Sequence, residues 1–142
     1  MASFVKYYCF VEDLAKKSHN LGVGGDTLKV ALTNTAPAQT DTVWSVVVYP
    51  SPSNASGYTS GGNSLTISSA SQTSGTFKLV VADSTFAANG GQIGAFRYVI
   101  LYNSSASNKL IGYYDYGSSI TLNDTETFTV DFDNVNGVLT IA

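Results

Sequence analysis

Few residues of this 142-residue chain have the types that catalysis usually needs. The single histidine, His19, stands beside Ser18 among turn-forming residues, and we expect it at the surface or at a helix terminus. Nucleophilic catalysis requires a base held against the nucleophile, and the sequence shows no such pair. Cys9, the single cysteine, lies between Tyr8 and Phe10, which favours a small buried hydrophobic side chain over a reactive thiol.

The ten acidic residues raise the question of a glycosidase, because that chemistry needs only two carboxylates. Asp115 is the most suggestive, since three tyrosines flank it and aromatic rings beside a carboxylate can bind a sugar. Strand alternation, however, places Tyr114 and Tyr116 on one face of the strand. Tyr113 and Asp115 then fall on the other face. No partner acid stands at a defined spacing, so the sequence predicts no catalytic residue and no enzyme.

The segment from Asp131 to Gly137 superficially resembles a calcium-binding loop. An EF-hand loop needs oxygen ligands at its first, third and fifth positions and glycine at its sixth. Here Val135 and Asn136 occupy the fifth and sixth positions, so the spacing fails. The alternative is a hairpin with a strand ending near Asp133, a turn at Asn136-Gly137 and a final strand. The sequence therefore predicts no metal and no cofactor.

The composition excludes several classes of protein. Charged residues make up only 12% of the chain, about half the usual share, and Ser, Thr, Asn and Gly fill 56 of the 142 positions. The net charge of −3 and the scattered basic residues argue against binding to a nucleic-acid backbone. No apolar run is long enough to cross a membrane, and the start of the chain does not resemble a cleavable signal. We therefore expect synthesis in a cytoplasm.

One segment has the spacing of an amphipathic helix. From Tyr7 to Lys17, apolar residues recur at three- and four-residue spacing, and they form a face of Tyr7, Phe10, Val11, Leu14 and Ala15. Gly22 follows as a stop signal, and Leu21–Asp26 is typical of a flexible turn. We predict an N-terminal helical segment and linker over residues 1–26.

The rest of the chain has the pattern of strands and turns. Thr27–Thr33 alternates between apolar and more polar positions, which predicts a half-buried strand. Val43–Tyr49 is a dense run of β-branched and aromatic residues, which predicts a more fully buried strand. Further strands are predicted at Ser64–Ser68, Thr76–Ala82, Arg97–Tyr102, Lys109–Tyr116, Glu126–Phe132 and Val138–Ile141. We therefore expect an all-β domain over residues 27–142, a β-sandwich or jelly roll of about 7–9 short antiparallel strands.

The second half of the chain contains three distinctive strings, GQIGAFRYVILYN (91–103), LIGYYDYGSSITLND (110–124) and ETFTVDF (126–132). The string KVALTNTAP (29–37) belongs to the same pattern. Together they resemble a family of small virion proteins encoded by tailed bacteriophages, over nearly the whole chain from about residue 7 to residue 142. The resemblance implies a phage structural protein and carries over no catalytic residue.

The first functional hypothesis is a capsid decoration, or cement, protein on the capsid surface of the virion. It would bind the outer capsid lattice and stabilise it, with the major capsid protein and copies of itself, as a dimer or trimer, for partners. We expect no binding to nucleic acid or membrane. Aromatic rings and the N-terminal helix suit contact surfaces, so the candidate interface residues are Tyr7, Phe10, Leu14, Tyr58, Tyr113 and Tyr114.

The alternative hypothesis is a receptor-binding or carbohydrate-binding module of the tail or of a head fibre. Stacking rings for a sugar would come from Trp44, Tyr58, Tyr113 and Tyr114. The chain has no heptad or repeat shaft of the kind that fibre proteins use, which counts against it. A small hydrolase on a jelly-roll scaffold is the third hypothesis, and the missing acid–base pair disfavours it.

Overall fold

The computed structural model describes residues 2–52 and 56–142. Within these ranges the strands form three antiparallel sheets, and a single α-helix lies near the N-terminus. The elements in chain order are β1 (Phe4–Lys6), α1 (Tyr8–Ala15), β2 (Leu28–Thr33), β3 (Asn63–Ser64), β4 (Ile67–Thr73), β5 (Thr76–Val81), β6 (Ser84–Ala87), β7 (Ile93–Asn103), β8 (Lys109–Leu122), β9 (Thr127–Val130) and β10 (Leu139–Ile141). The predicted all-β sandwich with one N-terminal helix is confirmed.

The main sheet has the strand order β1-β8-β7-β2-β3. The second layer consists of a three-stranded sheet, β10-β5-β4, and a two-stranded ribbon, β6-β9. Between the layers lies the main core, to which β2 contributes Leu28, Val30 and Leu32, all at most 1% exposed. Burying one such side chain fully contributes roughly 1.5–3 kcal/mol, so the period-2 pattern of β2 directly stabilises this face.

The opposite face of the main sheet is also covered, by the N-terminal Tyr7 and by residues 38–50. A second cluster forms there, in which Tyr7 and Tyr49 pack with Ala31, Ile100, Tyr102 and Leu110. The strand predicted at 27–33 is present, but its supposed outer positions Ala31 and Thr33 are buried as well. A central strand covered on both faces explains this pattern.

The strand predicted at Val43–Tyr49 is wrong. Only Val43 pairs with a strand, through an isolated bridge to Lys109. The chain then turns: the amide of Tyr49 donates to the carbonyl of Ser45 at 2.8 Å, and the amide of Val48 to the Ser45 hydroxyl at 3.2 Å. The three valines at 46–48, which we call the valine turn, are 42–86% exposed. Strand propensity measures the fit to a half-buried sheet surface, and here the sheet faces are filled by other residues.

The C-terminal hairpin predicted at Asn136-Gly137 is also wrong. Strand β9 pairs with β6 and β10 pairs with β5, so the two consecutive strands belong to different sheets. The turn is instead organised by Asp133, whose Oδ1 accepts hydrogen bonds from the amides of Val135 and Asn136 at 2.8 and 2.7 Å. This Asx-type turn is a local structure that needs no strand pairing.

Three other strand predictions need smaller corrections. The predicted strand at Ser64–Ser68 corresponds to parts of β3 and β4, while β7 and β8 extend well beyond their predicted ranges. Strands β1 and β6, which are three and four residues long, were not predicted. Short strands offer too few alternating positions for a pattern to emerge.

Helix α1 covers one end of the sandwich. Phe10 is 2% exposed and joins the main core with Leu21, whereas Val11, predicted on the apolar face, is 54% exposed. The helix is tied to β8 by the Lys109 ammonium, which lies 2.5 Å from a carboxylate oxygen of Asp13. Residues on both sides of the predicted boundary at 26/27 thus contribute to one core. No helix within the described ranges is long and apolar enough to cross a membrane.

Candidate functional site

Three of the six predicted interface residues are buried, and this corrects the prediction. Tyr7, Phe10 and Tyr58 are 0%, 2% and 3% exposed. Tyr58 instead anchors its loop to the main sheet, because its hydroxyl accepts a hydrogen bond from the amide of Leu32 at 2.9 Å. Tyrosine content alone does not distinguish rings on a contact surface from rings that serve the fold.

The other three candidates are partly exposed but lie apart. Leu14 lines a small cavity beside α1, together with His19 and Phe77. Tyr113 packs against the ring of Tyr7 on the outer face of the main sheet, at a centroid distance of 5.3 Å. Only Tyr114, on the inner face, lines an open groove at the edge of the main sheet.

This groove has a volume of about 360 Å³ and lies where the second layer leaves the β1–β8 edge of the main sheet uncovered. We call it the edge groove. Its floor comes from the main sheet, its wall from β9 and the segment before β10, and its rim from polar residues near Asp131. The lining residues are Ala2, Phe4, Val99, Tyr114, Tyr116, Phe128, Thr129, Val130, Asp131, Asp133, Gly137 and Val138.

Aromatic rings give the edge groove its apolar surface. The Phe4 ring lies directly over Gly112, where a Cβ atom would come within 2.1 Å of the ring, so any other residue at position 112 would displace Phe4. Phe4 packs against Tyr114 at 5.5 Å between centroids, and Tyr116 meets Phe128 edge-on at 5.8 Å. Burial raises the pKa of Tyr114 to about 12, which keeps its hydroxyl neutral.

One edge of β9 faces the edge groove. Four consecutive residues, 128–131, line the groove. Side chains of successive strand residues point to opposite faces, so side chains alone would line the groove only at every second residue. The backbone of this segment must therefore border the groove. The Ala88 amide donates to the carbonyl of Glu126, and the amide of Phe132 to Asp83. The backbone N–H and C=O groups of the even-numbered residues of this segment therefore form hydrogen bonds with β6. The N–H and C=O of Thr129 point away from β6.

The opposite residue on β6 supports this register. Thr85 pairs with Thr129, and their hydroxyl groups are 2.8 Å apart, as expected for a pair of residues that do not exchange backbone hydrogen bonds. The Thr85 carbonyl accepts instead from the Asn63 side chain, outside the ribbon, at 3.1 Å. By the same geometry, the backbone of Thr129 faces the edge groove.

The rim of the edge groove is acidic. Hydrogen bonds from Asn136 and from the Val135 amide hold the pKa of Asp133 below its usual value, with a smaller contribution from nearby Lys78. Lys78 itself donates to the Val135 carbonyl at 2.7 Å. Asp131 is exposed and has no hydrogen-bond or ion-pair partner in the described part of the chain. Its carboxylate is therefore available to a ligand.

Asp115, the acidic residue that the sequence favoured for a sugar-binding site, instead forms an ion pair that stabilises the fold. The guanidinium of Arg97 donates two hydrogen bonds to it, at 2.7 and 2.9 Å, and the Gly117 amide a third. The Arg97 hydrogen bonds, the Gly117 amide and the nearby positive charge hold the pKa of Asp115 below its usual value. The pair crosses between β7 and β8, so this carboxylate is a cross-strand partner of Arg97.

His19 is not at the surface, contrary to the prediction. It is 7% exposed, and its Nδ1 accepts a hydrogen bond from the Asn103 side chain at 3.0 Å. The Asn103 amide also donates to Asp26 at 2.6 Å, which fixes its orientation. Burial lowers the pKa of His19, and its Nε2 is buried without a partner among the described residues.

Cys9 is partly buried, and its Sγ lies 3.6–3.7 Å from three backbone carbonyl oxygens. Burial raises the pKa of the thiol, so the nucleophilic thiolate is disfavoured at neutral pH.

The valine turn is a second exposed apolar surface, on the outer side of the main sheet. Trp44, just before it, stacks on Tyr102 with centroids 4.8 Å apart and planes at 8°. The Tyr102 hydroxyl donates to the carbonyl of Gly61 at 2.8 Å. Val47, at the tip, is 86% exposed. The rings therefore hold the ends of the turn while its valines face outward.

Across the ranges that the structure describes, no group of three or more His, Cys, Asp or Glu side chains could hold a metal ion. Comparison of the chain with protein-family models, with curated proteins and with solved structures found no match.

Proposed function

We propose that this chain is a structural protein of a tailed-bacteriophage virion, of the capsid decoration class, that binds the outer capsid lattice and stabilises it. One observation carries the proposal: two apolar surfaces, the edge groove and the valine turn, lie on different sides of the main sheet. A protein that holds neighbouring subunits together needs two contact surfaces, and this chain offers them. The resemblance of its sequence to phage virion proteins supports the same function.

The chemistry of both surfaces suits protein–protein contact. The cores of interfaces are depleted of charge and enriched in aromatic residues, and the edge groove is lined by four aromatic rings. Consecutive exposed valines are uncommon on a monomer that has no partner. With only 12% charged residues, the chain has few ion pairs to offer a partner. Attachment should therefore depend mainly on apolar contact and backbone hydrogen bonds.

Release of the protein from purified virions across a salt series tests this proposal. Salt screens exposed ion pairs, and at about 1 M the Debye length is roughly 3 Å. We expect the protein to stay on the particles over this range. Wholesale release at about 1 M would show that ion pairs dominate, and failure to find the protein in virions at all would refute the proposed function.

A matched pair of variants tests the valine turn. We expect Val47→Ser to reduce the number of copies per particle, because the substitution removes apolar contact area from the exposed tip. Val23→Ser is the control, since Val23 is also exposed, at 67%, but lies in the turn after α1. Equal numbers of copies per particle for both variants would show that the valine turn is not part of the interface.

One observation favours carbohydrate binding as a second candidate function. Tyr116, which is 56% exposed, stands in the edge groove with the free carboxylate of Asp131. A ring that stacks on a sugar and a carboxylate that accepts its hydroxyl hydrogen bonds are the elements of such a site. A glycan array distinguishes the two functions, since a hit that Tyr116→Ala abolishes would support this one. Of the four rings predicted for it, Trp44 and Tyr58 are occupied within the fold, Tyr113 packs against Tyr7, and Tyr114 lines the edge groove.

A further inference from the structure

Two strand edges border the edge groove. In the described structure, β9 pairs only with β6 and β10 only with β5, so each strand has one side without a strand partner. Residues 128–130 of β9, Asp131 directly after it, and residues 137–138, which precede β10, line the same groove. An unpaired edge is a template for another strand, and proteins normally cover or charge such edges. Here the edge lies in an apolar groove that an added strand would fill.

We propose that the edge groove binds an extended segment of the capsid protein, which pairs with β9 as an added strand. The inference rests on the proposed function and names the site and the mode of capsid binding. Thr129 directs its N–H and C=O into the groove, and these groups would form the main-chain hydrogen bonds that give such complexes their affinity. The volume, about 360 Å³, is at the lower end of the range for binding pockets, which suits a few side chains.

The lining predicts the sequence of the bound segment. Alternate side chains of an added strand point to the same face, so those facing the floor formed by Phe4, Val99 and Tyr114 should be apolar. At the rim, the free carboxylate of Asp131 stands next to Asp133, which is held ionised. A lysine or arginine of the segment therefore lies opposite Asp131. A second copy paired through β9 would bring a threonine rather than a basic residue toward this carboxylate, so the capsid protein is the better occupant.

Rebinding to virions stripped of this protein tests the inference. Thr129→Pro removes the amide that faces the groove, whereas Thr85→Pro removes the amide of the matched residue on the opposite edge of the same ribbon. Proline is tolerated where an edge N–H points away from the ladder, so both variants should fold. We expect Thr129→Pro to bind at least about tenfold more weakly, and Thr85→Pro to bind within about twofold of wild type.

Two further measurements keep the test independent of the folding of the proline variants. Asp131→Lys, an exposed substitution, should also bind several-fold more weakly, because it places a cation opposite the expected basic residue. Hydrogen exchange of the wild-type protein should show new protection of the Thr129 amide on the particle. Wild-type binding to particles with no protection at Thr129 and no loss in either variant would overturn the inference.

The outcomes separate this inference from the proposed function. If wild-type protein does not bind the particles, the proposed function is wrong. If it binds and the variants bind equally well, the function stands and the docking site is wrong. A wild-type dimer in solution that Thr129→Pro dissociates, or a glycan that protects Thr129 in place of the capsid, would also overturn the inference, because each assigns the groove to another occupant.

Discussion

A chain of buried hydroxyl groups holds the segment that ends the valine turn, and its removal has a calculable effect. The Tyr49 hydroxyl donates to a carboxylate oxygen of Asp41 at 2.5 Å and accepts from the Tyr7 hydroxyl at 3.1 Å. Both tyrosines are at most 1% exposed. Burial is the main reason why the pKa of each is raised above its usual value, so both remain neutral donors.

The two tyrosines should differ in their effect on stability. Tyr7→Phe removes one hydrogen bond and leaves the Tyr49–Asp41 bond intact, so it should lower the free energy of unfolding by about 1 kcal/mol. Tyr49→Phe removes both bonds and leaves the Tyr7 hydroxyl buried without a partner, which should cost about 2–4 kcal/mol. The double variant removes the orphaned hydroxyl as well, so it should be no less stable than Tyr49→Phe.

Urea unfolding of the wild type, both single variants and the double variant measures this as a double-mutant cycle. Equal slopes in urea would confirm that the variants differ in stability and not in compactness. Each substitution removes a single oxygen and keeps the ring, so packing is unchanged and serves as the internal control. Additive losses, or a larger loss for Tyr7→Phe than for Tyr49→Phe, would refute this account of the hydrogen-bond chain.

Three other outcomes are expected. Burial lowers the pKa of His19 below the value of 6.5 that it has when exposed, so as the pH falls the unfolded chain binds this proton before the folded chain does. The free energy of unfolding should therefore fall as the pH drops below about 6.5. In urea unfolding at a series of pH values, His19→Gln should lack this part of the pH dependence. Gly62→Ala should unfold at a much lower temperature, because Gly62 has φ +74° and a Cβ atom would lie 1.8 Å from the Val30 carbonyl oxygen; normal melting would contradict this. Cys9 should react with iodoacetamide far more slowly in the folded protein than in urea at pH 8, and equal rates would show a reactive thiol.

The strands that were predicted well from the sequence have a local pattern of apolar residues and also pair with neighbouring strands in a sheet. The strand at 76–82 was found nearly at its predicted bounds, and Leu28, Val30 and Leu32 do face the core. The run at 43–49 has a stronger β composition, yet it forms a turn, because Tyr49 and Trp44 are held by partners that are distant in sequence. Local propensity contains no information about which sheet faces are already covered.

The edge groove could not be predicted for a related reason. Its lining combines Phe4 from the N-terminus, Tyr114 from β8 and Asp131 from the C-terminal segment, which are more than one hundred residues apart at the extremes. Strand β1, which brings Phe4 to the groove, is three residues long. Of its lining residues, only Tyr114 was expected at an interface, on the general ground that tyrosine favours contact surfaces. The unpaired edge of β9 depends on sheet pairing, which no single strand reveals.

Electron cryo-microscopy of purified virions is the most direct test of the decoration role. We expect density for this chain in many copies over the outer capsid shell, in contact with the major capsid protein. The β1–β8 edge of the main sheet should lie against the shell, with an extended capsid segment beside β9. Density for the chain at the tail alone, with none over the shell, would contradict the account.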